Sequence, residues 1–302
     1  MFKAIGVVLV ILQIICVSLW NVSMARAEEG VQGQTVRFGA ITLNHPLVIY
    51  QQYQPFLDYI SSRQPWHYQL VLARRYAGII DRLDSGTLDV ALVAGRTFMQ
   101  ARDRLNLIPL CAVKGSDGTP TTRSVFIVRT DRADIRTLQD LTGKSMAFGS
   151  PDSTGSFMVP MDYLRRHGFG FNSFSRWANL PSHDAVARAV LRGTFDAGVI
   201  VEPLAQPYVN SGLRILDATP PFPGFLIVAR AGLPANVVDA LRSVLLSIDP
   251  ADPEVGVSSA GWNEILRHGF GPVDVADYDI FRDMESSVTP HPETREDGWN
   301  KP

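Results

Sequence analysis

The segment Ser150-Pro151-Asp152-Ser153-Thr154-Gly155-Ser156 places hydroxyls and a glycine between an apolar run at 144–148 and a helical pattern at 160–167. Serine, threonine and aspartate are the usual helix N-caps, so the segment reads as an ordinary cap. The same residue types also suit an oxyanion. N–H groups at a helix start lack internal partners and carry partial positive charge. Hydroxyls add donors, and glycine lets the main chain come close to an anion. Pro160 fits the first turn of a regular helix, which leaves 153–156 as a cup at its entrance.

Other side chains could join that chemistry. Arg96 follows the apolar run 88–94 and is either a bidentate oxyanion partner or a solvated loop charge. Ligand sites in open α/β sheets lie beyond strand carboxyl ends, which favours the first. His183 can donate a hydrogen bond or cap its helix before Asp184. Glu202, after the run 195–201, can accept from a protonated ligand or an ammonium group, or sit on the surface. Cys111 lies in the apolar run 107–113 and reads as a small core residue. Enzyme signatures are missing: there is no Gly-x-Ser-x-Gly, P-loop or His-Glu-x-x-His. His45, His67, His167, His183, His268 and His291 show no metal-ligand spacing. The expectation is a binder with no catalytic residue, cofactor or metal.

The elements that must hold these residues alternate. Strands are expected at 35–41, 68–73, 88–94 and 107–113, and again at 124–129, 144–148 and 195–201. Helical spacing marks 46–62, where Leu47, Tyr50, Tyr53, Leu57 and Ile60 recur, and also 134–142, 160–167 and 183–191. Alternation implies parallel sheets covered on both faces. An echo links Gly86-Thr87-Leu88-Asp89-Val90-Ala91 to Gly193-Thr194-Phe195-Asp196-Ala197-Gly198, and six residues are few. Polar 115–122 and Pro-rich 219–224 bracket the second series. The layout is therefore a discontinuous first lobe, 35–122 and 221–284, and a second lobe, 123–220. Helices at 234–248 and 261–268 return to the first lobe, and 285–302 form a loose tail.

Composition bounds the class. The chain has 302 residues, 46% of them hydrophobic and 19% charged, enough for packed cores. Lys3, the apolar run 4–20 and Ala25-Arg26-Ala27 form a secretory signal layout. The alternative, a membrane anchor, needs ~20 apolar residues. Cleavage after Ala27 would remove Lys3 and Arg26, taking the formal charge from −2 to −4. An acidic body is a poor match for nucleic acid. With Cys16 gone, Cys111 stands alone and no internal disulfide forms.

The order Asp152-Ser153-Thr154-Gly155, Pro160, Leu164 and Gly168 resembles the phosphonate-binding family of ABC-transporter solute-binding proteins. Asp89-Val90-Ala91 leading to Gly95, Leu138-Gln139-Asp140-Leu141-Thr142-Gly143-Lys144 and Ser182-His183-Asp184-Ala185-Val186 agree, so the likeness spans roughly 36–230. It implies a type II Venus-flytrap fold, an α/β binder whose ligand cleft lies between two lobes. By position, Ser153, Thr154, Gly155 and Ser156 would hold a phosphonate, phosphite or phosphate. His183 would reach it from the second lobe, Tyr50 would cover it, and Gly95-Arg96-Thr97 would complete the cup. Departures are Gly155 standing before Ser156, Arg96 in place of a small residue or proline, and Phe98 in place of an aromatic hydroxyl. The resemblance further implies a monomer in the periplasm, partnered by an ABC permease or by a sensor histidine kinase. A relative of the family senses arsenite through one cysteine, so Cys111 with the hydroxyl cup is an alternative arsenite site.

Overall fold

The computed structural model describes residues 34–41 and 46–288. The expected signal at 1–27 and the chain beyond 288 lie outside them. Four strands come first: β1 (Thr35–Ile41), β2 (His67–Ala73), β3 (Val90–Val93) and β4 (Ile108–Val113). The chain crosses through β5 (Thr121–Thr122) into β6 (Ser124–Arg129), β7 (Ser145–Phe148), β8 (Arg176–Asn179), β9 (Ala197–Val201) and β10 (Leu213–Ala218). It returns through β11 (Phe222–Pro223) to β12 (Leu226–Ala229) and β13 (Phe270–Gly271).

Two sheets result, one per lobe. The first has six strands ordered β13-β4-β12-β3-β1-β2, the second five ordered β10-β6-β9-β7-β8, and β5 pairs with β11 between them. The sheets are mixed rather than all parallel. β1 runs parallel to β2 and β3, but β12 comes back antiparallel to β3 and β4, and β6 is antiparallel to β9 and β10. A chain that leaves a sheet for the other lobe and later returns re-enters it from the opposite end. β3 and β9 are buried along their whole lengths, which explains their unbroken apolar sequence.

The helices are α1 (Pro46–Ser61), α2 (Tyr76–Asp84), α3 (Gly95–Leu105), α4 (Val159–Arg166), α5 (His183–Leu191), α6 (Gln206–Val209), α7 (Ala235–Leu246), α8 (Pro253–Ser259) and α9 (Ile280–Val288). Three expectations fail for local reasons. The helix at 134–142 shrinks to one 3-10 turn, Leu138–Leu141. There the Asp140 carboxylate accepts the N–H groups of Arg136 and Thr137, each at 2.8 Å, and caps the turn. The helix at 261–268 is a run of turns, because Asn263 is pulled onto α1: its N–H and Nδ2 reach the Gln52 carbonyl and Oε1 at 3.0 and 2.7 Å. Residues 285–288 belong to α9, whose Phe281 and Met284 are buried, and so are not part of a loose tail.

The sequence echo has a physical basis. Gly86 and Gly193 both take positive φ, +66° and +70°, and turn the chain out of a helix. Asp89 then exchanges hydrogen bonds with Arg37 on β1: its N–H donates to the Arg37 carbonyl at 3.1 Å, and its carboxylate accepts the Arg37 N–H at 3.0 Å. Asp196 does the same with Ser145 on β7, at 3.2 and 2.8 Å. Each lobe thus pins its central parallel strands with one aspartate.

Candidate functional site

Ser153, Thr154, Gly155 and Ser156 do not form a loose cup before α4. Residues Thr154–Met158 make a π turn that runs into α4, with the Met158 N–H donating to the Ser153 carbonyl at 3.0 Å. The widened turn directs side chains inward, and Ser153, Thr154 and Ser156 are all buried. Ser153 Oγ accepts the Ser156 N–H at 3.2 Å and the Ser156 hydroxyl at 2.8 Å. Thr154 Oγ1 accepts the main-chain N–H of Arg96, from the other lobe, at 2.9 Å. Glycines allow this closeness. A Cβ on Gly149 would lie 1.9 Å from Ser156 Oγ, and one on Gly155 would lie 2.4 Å from Val201 Cγ1.

Cavities line the boundary between the lobes among the described residues, and three of them bear on the site. The hinge-side one, about 10 Å³, is bounded by Tyr76, Gly95, Thr122, Ser153, Thr154 and Gly155 and walled by Val201, Phe222 and Phe225. Thr122 Oγ1, buried, has no hydrogen-bond partner among the described residues. A second, about 200 Å³, lies between Arg74, Arg75 and Tyr76 of the first lobe and Ser150, Asp152, Ser156, Ser182 and His183 of the second. A third, about 370 Å³, lies between α1 and the segment from α5 to Ser211, and it also meets His183.

His183 is 2% exposed. Its Nδ1 accepts the Val201 N–H at 3.3 Å, which assigns the ring proton to Nε2. Burial lowers its pKa to about 4, so the ring is neutral at pH 7. Tyr76 lines two of these cavities, and burial raises the pKa of its hydroxyl to about 12, so it stays protonated at pH 7.

The remaining expected site residues are dispersed. The Arg96 guanidinium is engaged by Glu285 and the Pro151 carbonyl. Thr97 is buried on the inner face of α3, and its hydroxyl has no partner among the described residues. Tyr50 is 52% exposed on α1 and lines none of the three cavities. Glu202 is exposed and likewise lines none of them. Cys111 is 0% exposed on β4 within the first sheet, and burial pushes its thiol pKa well above the ordinary value.

Reading the sequence by motif passed over Tyr76, Thr122, Arg74 and Arg75. One signal could have found three of them. Gly95, Ser153 and His183 each follow a strand's carboxyl end, and 74–76 follow β2 in the same way. Thr122 follows no such rule, because it belongs to the crossing between lobes.

The family model described as "ABC transporter, phosphonate, periplasmic substrate-binding protein" matches residues 38–278. The phosphonates-binding periplasmic protein of Escherichia coli (strain K12) is 29% identical over 252 residues, 80% of this chain and 73% of that protein. PhnD1 of Prochlorococcus marinus (MIT 9301), solved with methylphosphonate, superposes with a TM-score of 0.72 at 21% identity, over 84% of this chain and 98% of that one. The binding component of an ABC phosphonate transporter from Pseudomonas aeruginosa gives 0.72 at 23% identity, over 83% and 85%. These superpositions establish the two-lobe binding-protein fold. With the family model running from β1 to the turn before α9, this chain belongs to the phosphonate-binding family of ABC-transporter periplasmic substrate-binding proteins, a family of binders and not of enzymes.

Proposed function

We propose that the protein captures a small phosphorus oxyanion, a phosphonate or phosphite, in the hinge-side cavity and delivers it to an ABC permease after export by residues 1–27. The observation that carries this reading is the polarity of the hydroxyl network. Main-chain N–H groups of Ser156 and Arg96 already occupy lone pairs of Ser153 and Thr154. A hydroxyl that accepts from behind keeps its own hydrogen to donate forward, and linked donors polarise one another. The cavity thereby offers O–H groups to an anion without a buried formal charge. Arg74 and Arg75 stand in the adjoining cavity, and neither has a carboxylate partner among the described residues. With Asp152 in the same lining, the two arginines leave that cavity net positive in a chain whose net charge is −2.

The opposite wall is apolar: Val201, Phe222 and Phe225. It suits an oxyanion with one face that needs no hydrogen bond, a P–H or P–CH₃ group. A fully oxygenated tetrahedron would leave an oxygen unpaired against it, at a cost of about 1–3 kcal/mol. The printed ligands of the Escherichia coli and Prochlorococcus relatives agree with this class. At about 10 Å³ the cavity is close to the volume one water requires, so capture needs the lobes to part at 121–122 and 222–223. Arsenite capture by Cys111 is less well supported, because soft-metal binding needs an accessible thiolate.

The test is a titration series with methylphosphonate, phosphite, phosphate, sulfate and arsenite, read by calorimetry and thermal shift. Methylphosphonate or phosphite should raise Tm by linkage. Ser153→Ala and Thr154→Ala should each weaken binding about tenfold or more, the effect of one lost charge-assisted hydrogen bond, while Cys111→Ala leaves it unchanged. Unaltered affinity in both hydroxyl variants would place the ligand elsewhere.

A further inference from the structure

Arg96 joins three parts of the molecule through one charged side chain. It is the second residue of α3 in the first lobe. Its Nε and Nη2 donate to Glu285 Oε1 on α9, at 3.2 and 2.9 Å. Its Nη1 donates to the carbonyl of Pro151, in the oxyanion segment of the second lobe. Gln100, one turn along α3, also donates to Glu285 Oε1 at 3.1 Å.

The fit of α9 onto α3 fixes this arrangement. Phe281 and Glu285 lie four residues apart, on one face of α9. The Phe281 ring fills the place of a side chain on Gly95, where a Cβ would meet it at 2.0 Å. Glu285 is thereby held over the next residue, Arg96. A guanidinium is planar and presents its donors in a rigid fork. Once Glu285 fixes one edge of that plane, the remaining edge is aimed at Pro151.

We infer that Arg96 is a positioning residue, a clasp that closes with the lobes and sets how long the ligand stays, without touching the ligand. The donors and acceptor belong to different lobes, so opening the hinge breaks the Arg96–Pro151 bond and the Arg96 N–H to Thr154 bond together. Closing remakes both. The first holds the segment from 151 to 156 against α3, and the second fixes the hydroxyl of Thr154. An interaction formed only after closure acts on release rather than on encounter. Arg96 and Glu285 are 19% and 37% exposed, so salt reaches and weakens the pair.

This inference uses the phosphonate reading only to supply a reporter ligand. The first experiment measures association and dissociation of methylphosphonate with Arg96→Met and Glu285→Gln. Arg96→Met keeps the main-chain N–H and removes the fork. Its dissociation rate should rise about tenfold, the scale of one charge-assisted hydrogen bond, with the association rate unchanged. The same factor should appear with phosphite. Salt should accelerate release from the wild type and have no such effect on Arg96→Met. Glu285→Gln should act in the same direction, and the double variant should be no worse than Arg96→Met alone. An unchanged dissociation rate, a loss confined to association, or a loss for one ligand only would overturn the clasp.

The second experiment needs no ligand. Spin labels at Gln51→Cys and Ser211→Cys, exposed positions on the two lobes, report the inter-lobe distance. Arg96→Met and Glu285→Gln should shift the ligand-free distribution to longer distances. An identical distribution in all three proteins would overturn the clasp. If the wild type binds no phosphorus oxyanion, the ligand reading fails, and the distance measurement still judges Arg96. If Arg96→Met does not fold, Glu285→Gln carries both measurements.

Discussion

At the scale of single residues, the site depends on where hydrogens point and on what space is left. Gly155 presses against Val201 and gives its carbonyl to the Ser124 hydroxyl at 2.7 Å. Gly155→Ala should therefore shift the π turn and abolish tight capture while leaving the first lobe intact, as binding titration and hydrogen exchange would show. His183 makes a different prediction. Its folded pKa of about 4 lies below the ordinary 6.5, because burial disfavours the charged ring. As pH falls below 6.5 the unfolded chain takes up the proton first. Stability is thus complete above 6.5 and erodes by about 3 kcal/mol as pH falls to about 4. A pH series of thermal melts should show that limb, and His183→Gln should flatten it. Ligand affinity should show no titration step from this ring between pH 5 and 8.

At the scale of elements, the paired aspartates decide whether each lobe's sheet is held in register. Burial pushes the Asp89 carboxyl up, but hydrogen bonds from Arg37 and Arg230 outweigh it and hold its pKa below the usual carboxylate range. Asp89→Ala leaves the Arg37 N–H and two guanidinium groups without their acceptor and should cost about 3 kcal/mol by denaturant titration. Asp196→Ala, at a more exposed position, should cost nearer 2 kcal/mol. In both cases the carboxylate's contribution is present above the ordinary range and lost as pH falls through the depressed pKa. These elements were legible because periodicity and the Gly–x–x–Asp junctions are local signals. The direction of β12 was not, since nothing in Leu226–Ala229 says which neighbours it joins on return. Nor was the loss of the helix at 261–268, where Gln52, far away in sequence, competes for Asn263. The clustering of hydroxyls at 153–156 was legible because they are adjacent in the sequence. The commitment of Arg96 to Glu285 was not, because it needs α9 folded back across 189 residues.

At the scale of the whole molecule, the junction of both lobes is packed as well as hydrogen-bonded. The Phe281 ring sits 6.2 Å from that of Phe222 on β11 and 6.0 Å from that of Tyr278. Phe281→Ala should lower stability by about 3–5 kcal/mol and broaden the inter-lobe distance distribution. A variant destabilised with an unaltered distribution would limit α9 to the first lobe.

The two crossings between lobes are hydrogen-bonded to each other, Thr122 opposite Phe222 and Thr121 opposite Pro223. Two independent threads would let one half of the molecule swivel freely about the other. A ribbon of paired strands bends across its face far more easily than it shears along its length. The jaws are therefore guided along a single arc, and Ser153 and Thr154 return to the same seat beside Arg96 on every cycle.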